Sequence, residues 1–409
     1  MPQSLSPVQV RRLLARTLRV ALDGGPAHQQ LIDRWAQAQA SEARWVTALT
    51  WDGVGAAVGW ALAALDLKGV APSEVEAPAA VAYEEARAQG VQLTADLERL
   101  GVELNAAGIR AVALKGSALL VGNVVPALGI RWMGDIDLLV PEPQVEPAAW
   151  VLESLDYVRA GSRDTLGPEP LRPYHDTFIG PDGQVVELHW RLGPARWGSD
   201  WSTDGWFARA APSSAPGLLM PSAADLFWHF LIHDARNHAW SSGSLRAALD
   251  LALTARAKGF GLAEVIGRLD HDPRPGPLLE AIGDAANLSP ILASEVEPSP
   301  QPRYLRLAAW RDAIGRRHWP VPRIAEAIAW GATLERARRF GGWHGIADRA
   351  LRIIPDTSPD MTLGAKLRRT LLSVRRAGFI AFLAGSHFLS VPVQRLKGPG
   401  RQPRLPSPS

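Results

Sequence analysis

The chain contains no cysteine. That absence excludes a disulfide scaffold, a zinc–thiolate centre, an iron–sulfur cluster and a thiol nucleophile, so any metal must sit on oxygen or imidazole. Lysine is scarce as well, standing only at 68, 115, 258, 366 and 397, and the other basic residues are arginine. The net charge of +3 is a small surplus. In a chain this rich in arginine, alanine, glycine and proline, it reads as a compositional bias before it reads as a nucleic-acid surface. No window of apolar residues is long enough for a membrane-spanning helix. The first residues, MPQSLSPVQVRRLLARTLRV, break their apolar positions with arginine and lack the apolar core of a secretory signal, so a cytoplasmic location is expected.

What is present supports a large core: 409 residues, 47% hydrophobic and 21% charged, leave room for two or three domains. Residues 1–108 form an expected N-terminal helical region, with Val10, Leu13, Leu14 and Leu18 at helical spacing and Asp52 to Leu67 apolar enough to lie between other helices. Residues 109–215 change texture. Ile109 to Leu114, Ile136 to Val140 and Gln184 to Trp190 are short apolar runs bounded by Gly, Pro or Asp, and read as strands. Helices are expected from Ser117 to about Val125 and from Glu142 to about Leu155, and Asp182-Gly183 marks a hairpin turn. The Pro/Ser/Gly-rich stretch from Ala211 to Gly217 reads as a connector. Residues 216–397 form an expected C-terminal helical domain, with breaks near Asp272 to Pro277 and Glu297 to Pro302, and residues 398–409 an expected disordered tail. The fold class is therefore α+β: a small mixed β-sheet core with an N-terminal helical region and a C-terminal helical domain.

The chemistry concentrates in Gly134-Asp135-Ile136-Asp137-Leu138-Leu139-Val140. Residues two apart on a strand share a face, so Asp135 and Asp137 project together while Ile136 points to the apolar side. With no cation next to them in sequence, a divalent metal is the expected occupant; the bland alternative is a pair of strand-start aspartates capping a turn. Upstream, Ala113-Leu114-Lys115-Gly116-Ser117 reads as a strand turning into a helix, a place where backbone N–H groups and a hydroxyl meet phosphate. Downstream, Val186-Glu187-Leu188-His189-Trp190 supplies a third acid.

These pieces, in this order, resemble the polymerase-beta-like nucleotidyltransferase superfamily. Leu114-Lys115-Gly116, Arg131 with the Gly134 to Val140 run, and Val186 to Trp190 are more closely similar to the uncharacterised nucleotidyltransferases. Tyr174-His175, Leu245-Arg246 and Leu249-Asp250-Leu251 also fit that pattern. Two departures stand out: Pro126 to Met133 lengthens the gap before the paired aspartates, and Glu187 replaces the commoner third aspartate. The resemblance implies two Mg²⁺ or Mn²⁺ ions held by Asp135, Asp137 and Glu187, a nucleoside triphosphate donor with ATP favoured, and release of pyrophosphate. It also implies that Gly116 and Ser117 cradle the distal phosphates, that Lys115 or Arg131 neutralises the leaving group, and that Glu187 or Asp137 takes the acceptor's proton.

Each supporting residue has a plainer alternative. Lys115 is either a phosphate ligand or a surface lysine at a strand end, and Arg131 either faces the triphosphate or pairs with a nearby acid. His189 either orients Glu187 and touches substrate or is a buried histidine satisfied by backbone. Arg246 and Asp250, four apart on a helix, either reach the site or pair with each other. His229 and His233 have the spacing of a zinc-protease helix, but Phe230 stands where the general-base glutamate belongs; His233 and His238 on a cleft-facing helix are the better functional reading. The basic segment from Lys366 to Arg376, followed by Phe379 to Val393, reads as a packed terminal helix more than as a membrane-surface helix. The acceptor is a small molecule, a peptide or a protein, and a nucleic acid is the less favoured choice. Members of the family occur beside genes for ribosomally made peptide natural products, which suggests a maturation role. The alternative is a non-catalytic, antitoxin-like nucleotide-binding regulator, against which the intact set of three acids argues.

Overall fold

Ser6 starts the first helix, because its hydroxyl accepts from the Gln9 N–H while the Gln9 side chain accepts from the Ser6 N–H, with Pro7 at the first helical position. The computed structural model describes residues 4–160, 174–193, 203–236, 244–272 and 275–315. Helices α1 (Pro7–Asp23), α2 (Gln29–Ala36), α3 (Glu42–Trp51) and α4 (Gly55–Ala64) lead into the long α5 (Ser73–Ala106). After β1 (Ala111–Ala113) and α6 (Lys115–Val121) come β2 (Asp135–Leu139), a 3₁₀ turn at Glu142–Gln144, α7 (Val145–Ser154) and β3 (Val158–Arg159). The hairpin β4 (His175–Ile179) and β5 (Val185–His189) turns at Asp182-Gly183, where Gly183 supplies the positive φ of 82°. Next are α8 (Asp204–Arg209), β6 (Ala211–Pro212), β7 (Leu218–Met220), α9 (Ala223–Arg236), α10 (Leu245–Thr254), α11 (Leu262–Leu269), α12 (Gly276–Ala286), α13 (Pro290–Ala293) and α14 (Arg303–Gly315).

The strands form one seven-stranded mixed sheet in the order β3-β4-β5-β2-β1-β7-β6. Its centre is the parallel pair β2 and β5, with Asp135 opposite Val185 and Asp137 opposite Glu187. The pleat sorts the residues. Ile136, Leu138, Val186, Leu188, Phe178, Ala111 and Ala113 face one side and join the main core with residues of α5, α6, α7 and α9. The opposite face holds Asp135, Asp137, Glu187, His189 and His175, continued by a small apolar cluster of Val112, Leu114, Leu139, Leu192, Trp206 and Phe207. One face is thus core, and the other can carry chemistry.

A second core packs α1 and α4 against α10 and α14, so helices from both sides of the sheet region in sequence share one interior. All the described residues fall in one compact unit, residues 1–318. Among them, no helix is long and apolar enough to cross a membrane. His238, the basic segment from Lys366 and the 398–409 tail lie outside the described residues.

The expected connector at Ala211 to Gly217 is corrected by the structure. It contains the edge strand β6 and the turn into β7, which runs parallel to β1. Ser213 makes the turn: its hydroxyl donates to the carbonyls of Ala215 and Leu218 and accepts from the Ala215 N–H. Proline is tolerated in β6 because an edge strand has one unpaired side. This turn lies against α5 at a glycine pair, where a Cβ added to Gly101 would stand 2.3 Å from the Pro216 carbonyl oxygen. Backbone cannot yield there as a side chain could. Gly101→Ala is expected to destabilise the protein by about 1–3 kcal/mol, read as a lowered urea midpoint at unchanged slope.

Candidate active site

The turn from β1 into α6 is built around Asp137. Leu114 donates its N–H to the Asp137 carbonyl at 2.9 Å, and the Asp137 N–H donates to the Ser117 hydroxyl at 3.0 Å. Between them Lys115 adopts a left-handed φ of 45°, a conformation that costs a non-glycine residue about 1–2 kcal/mol. The conformation places the ammonium against the acids: Lys115 Nζ lies 2.6 Å from Asp137 Oδ1 and 3.4 Å from Glu187 Oε2. Sequence offered no cation beside the paired aspartates, whereas the fold delivers one from the preceding turn.

His189 meets the same two oxygens. Its Nε2 is 2.9 Å from Asp137 Oδ1 and 3.2 Å from Glu187 Oε2, and the ring is fully buried. His175, directly opposite on β4, brings its Nε2 to 3.5 Å from Glu187 Oε1. These contacts set the charges. Burial opposes ionisation of Asp137, but Lys115 and the His189 hydrogen bond outweigh it and hold the carboxyl well below the usual range. Glu187 is lowered against the same burial cost by His189 and Lys115. His189 is raised, its bonds to Asp137 and Glu187 overcoming burial, while burial and then His189 push His175 down to about 4. Asp135 behaves differently: burial and the Asp137 charge raise it, and among the described residues its carboxylate makes no hydrogen bond.

Asp135, Asp137 and Glu187 each present a carboxylate oxygen within 4.8 Å of the others, a set that could hold a metal ion. All the donors are oxygen, and neither Asp135 nor Asp137 Oδ2 is hydrogen-bonded among the described residues, which fits a hard cation such as Mg²⁺ or Mn²⁺. His175, Glu187 and His189 form a second possible ligand set sharing Glu187.

The remaining expected residues divide. Gly116 and Ser117 are buried, and the Ser117 hydroxyl already holds the Asp137 N–H. A Cβ on Gly116 would stand 2.5 Å from Arg131 Nη1 and from Met133 Sδ. Glycine there lets the 126–133 stretch close over the turn. Both residues therefore have a packing task in the turn. Arg131 takes the plainer alternative, with Nε and Nη2 on the two Asp250 oxygens at 2.7 and 3.2 Å and its guanidinium over the Phe230 ring. Asp250 therefore pairs with Arg131 first; Arg246 Nε is 3.9 Å away and Arg246 Nη2 donates to the Trp132 carbonyl. The extra residues between turn and strand are pinned from three sides, by Gln89 on the Met133 N–H, by Asp250 and by Arg246.

His233 is buried on α9, 4.0 Å from the Asp234 carboxylate. His229 packs edge-on against Trp206, and burial pushes it down to about 3; neither histidine belongs to a metal-holding group among the described residues. Two features escaped the sequence reading: the Lys115 contact, and Trp132, half-exposed between Arg131 and Asp135 in the chain. Only the lysine's rarity in the chain hinted at the first.

Burial beside Asp250 pushes the Asp234 carboxyl up to about 7, and its Oδ2 has no hydrogen-bond partner. The unfolded chain releases this proton near the ordinary value of about 4. Between about pH 4 and 7 the native state therefore binds more protons, and stability falls as pH rises. Asp234→Asn is expected to melt higher than wild type at pH 8 and together with it at pH 4, as thermal melts at the two values would show.

The mixed sheet thus gathers three acids on one face, with the Lys115 turn before them and helices behind. The chain belongs to the family described as uncharacterised nucleotidyltransferases, whose pattern it matches over residues 39–269, more than half of its length. No curated protein matches it. A solved structure, described as an antigenic nucleotidyltransferase-like protein from Paracoccidioides brasiliensis, aligns at 14% identity and a TM-score of 0.28, covering 49% of this chain and 90% of that one.

Proposed function

We propose that the chain transfers a nucleoside monophosphate from a nucleoside triphosphate, ATP by preference, to a hydroxyl- or phosphate-bearing acceptor and releases pyrophosphate. The observation that carries this reading is the parallel register of β2 and β5, which sets Asp137 beside Glu187 with Asp135 on the same face. Asp135, Asp137 and Glu187 would hold Mg²⁺ or Mn²⁺. When bound, the ion supplies charge that lowers the acceptor hydroxyl's pKa and neutralises the phosphates. The acceptor oxygen bonds to the α-phosphorus as the bond to the β-phosphate oxygen breaks. Its proton leaves toward Glu187, whose side chain is 22% exposed against 2% for Asp137. His189, held by both carboxylates, fixes Glu187 in place.

With Arg131 paired to Asp250, Lys115 and the partly exposed Arg246 are the better candidates to meet the triphosphate. Trp132 offers an exposed indole face to the base beside them. A small molecule, a peptide or a protein fits the acceptor role, and a maturing peptide natural product is the acceptor that the family resemblance suggests. The test is pyrophosphate release by the full chain with each of the four nucleotides and a panel of such acceptors, with Mg²⁺ and with EDTA. Metal-dependent release supports the reading. No release with any acceptor, alongside nucleotide binding, would favour the regulatory alternative.

A further inference from the structure

The acid cluster already contains a cation. Lys115 Nζ bridges Asp137 Oδ1 and Glu187 Oε2, and its side chain is only 12% exposed. This is not a surface lysine resting by chance on a carboxylate. Leu114 before it and Ser117 two residues after it engage the backbone carbonyl and N–H of Asp137, and Lys115 itself adopts a left-handed φ. Among the described residues Asp137 Oδ2 and the Asp135 carboxylate make no hydrogen bond, and Asp135, Asp137 and Glu187 each offer an oxygen within 4.8 Å of the others.

From this we infer that Lys115 takes one of the two cation positions of the cluster, so that the site holds a single divalent ion and a lysine where two ions were expected. Lys115 already sets one positive charge between two of the three carboxylates, and a second divalent ion would have to displace a buried, hydrogen-bonded ammonium. In this arrangement Lys115 is a fixed charge beside the reacting phosphates, and metal enters on the Asp135 side.

The inference rests on the nucleotidyl-transfer reading, and the experiment keeps the two apart. Mn²⁺ is titrated into the full chain with α,β-methylene-ATP, with bound ions counted by electron paramagnetic resonance. The expected result is one Mn²⁺ per chain with no spin-coupled pair. Lys115→Gly, the substitution that a left-handed backbone accepts without strain, is expected to bind two, with the spectrum of a coupled pair. A coupled pair in the wild type would overturn the inference and leave nucleotidyl transfer standing. One ion in a folded Lys115→Gly would also overturn it, because the lysine would then not be what excludes the second. No Mn²⁺ in either protein, with the nucleotide present, would remove the transfer reading as well. Should the glycine variant fail to fold, the wild-type count decides alone.

Discussion

Asp137→Asn is expected to reduce metal-dependent pyrophosphate release by about a thousandfold or more, and also to weaken the fold. The two effects have separate causes. Catalytically, the substitution removes a charge from the ligand set and replaces one oxygen by an amide. Structurally, Asn keeps an acceptor oxygen for Lys115 and His189 but removes the charge, which leaves the buried ammonium with Glu187 as its remaining ion-pair partner. Breaking a buried charge pair by removing one partner costs about 3–5 kcal/mol, far more than an exposed pair would. Asp135→Asn provides the contrast. Asp135 shares the proposed ligand role but makes no hydrogen bond among the described residues and is half-buried, so its loss should match that of Asp137 in activity and leave the urea midpoint nearly unchanged. Equal stability losses in the two variants would show that Lys115 and His189 are not anchored on Asp137 as described.

This asymmetry explains which parts of the site could be read from sequence. Alternation along a strand is local, so Asp135 and Asp137 on one face, and the apolar face behind them, follow from the residues alone. The hairpin followed from Asp182-Gly183 in the same way, since the turn needs a positive φ at the glycine. Which strands lie side by side is not local. A family resemblance supplied Glu187 as the third acid, but the parallel pairing that brings it to Asp137 was contained in neither spacing nor periodicity. The left-handed turn at Lys115 was less accessible still. Such a φ is expected of glycine, Gly116 stands next in the chain, and the sequence gives no reason to assign it to the lysine. The edge strand β6 and its neighbour β7 were missed because they are short and lie in a stretch whose Pro, Ser and Gly residues read as a connector.

Arg131 has a partner that the sequence around it does not announce. The family resemblance implied an arginine facing the triphosphate, with pairing to an acid as the alternative, and position in the chain says nothing about an acid 119 residues further on. Asp250 comes from α10, almost fully buried, and meets Arg131 in a two-point contact that Phe230 covers. Asp250→Ala is accordingly expected to destabilise the unit by about 3–5 kcal/mol, since Arg131 cannot shed its charge and is left with little solvent. Replacing both partners by apolar residues, Arg131→Met with Asp250→Leu, should recover most of that loss, because the stranded charge disappears along with its partner. The sum of the single effects would then exceed the double effect by more than about 1 kcal/mol in urea unfolding, well above the additivity expected of independent sites. Additive losses would mean that the two residues act separately and that Arg131 is free to meet nucleotide. With coupling, the same pair has a mechanical role: it ties the 126–133 stretch, and with it the exposed Trp132, to α10. The double variant should then regain stability while its KM for nucleotide stays raised, because apolar contacts restore packing without restoring the position of that stretch.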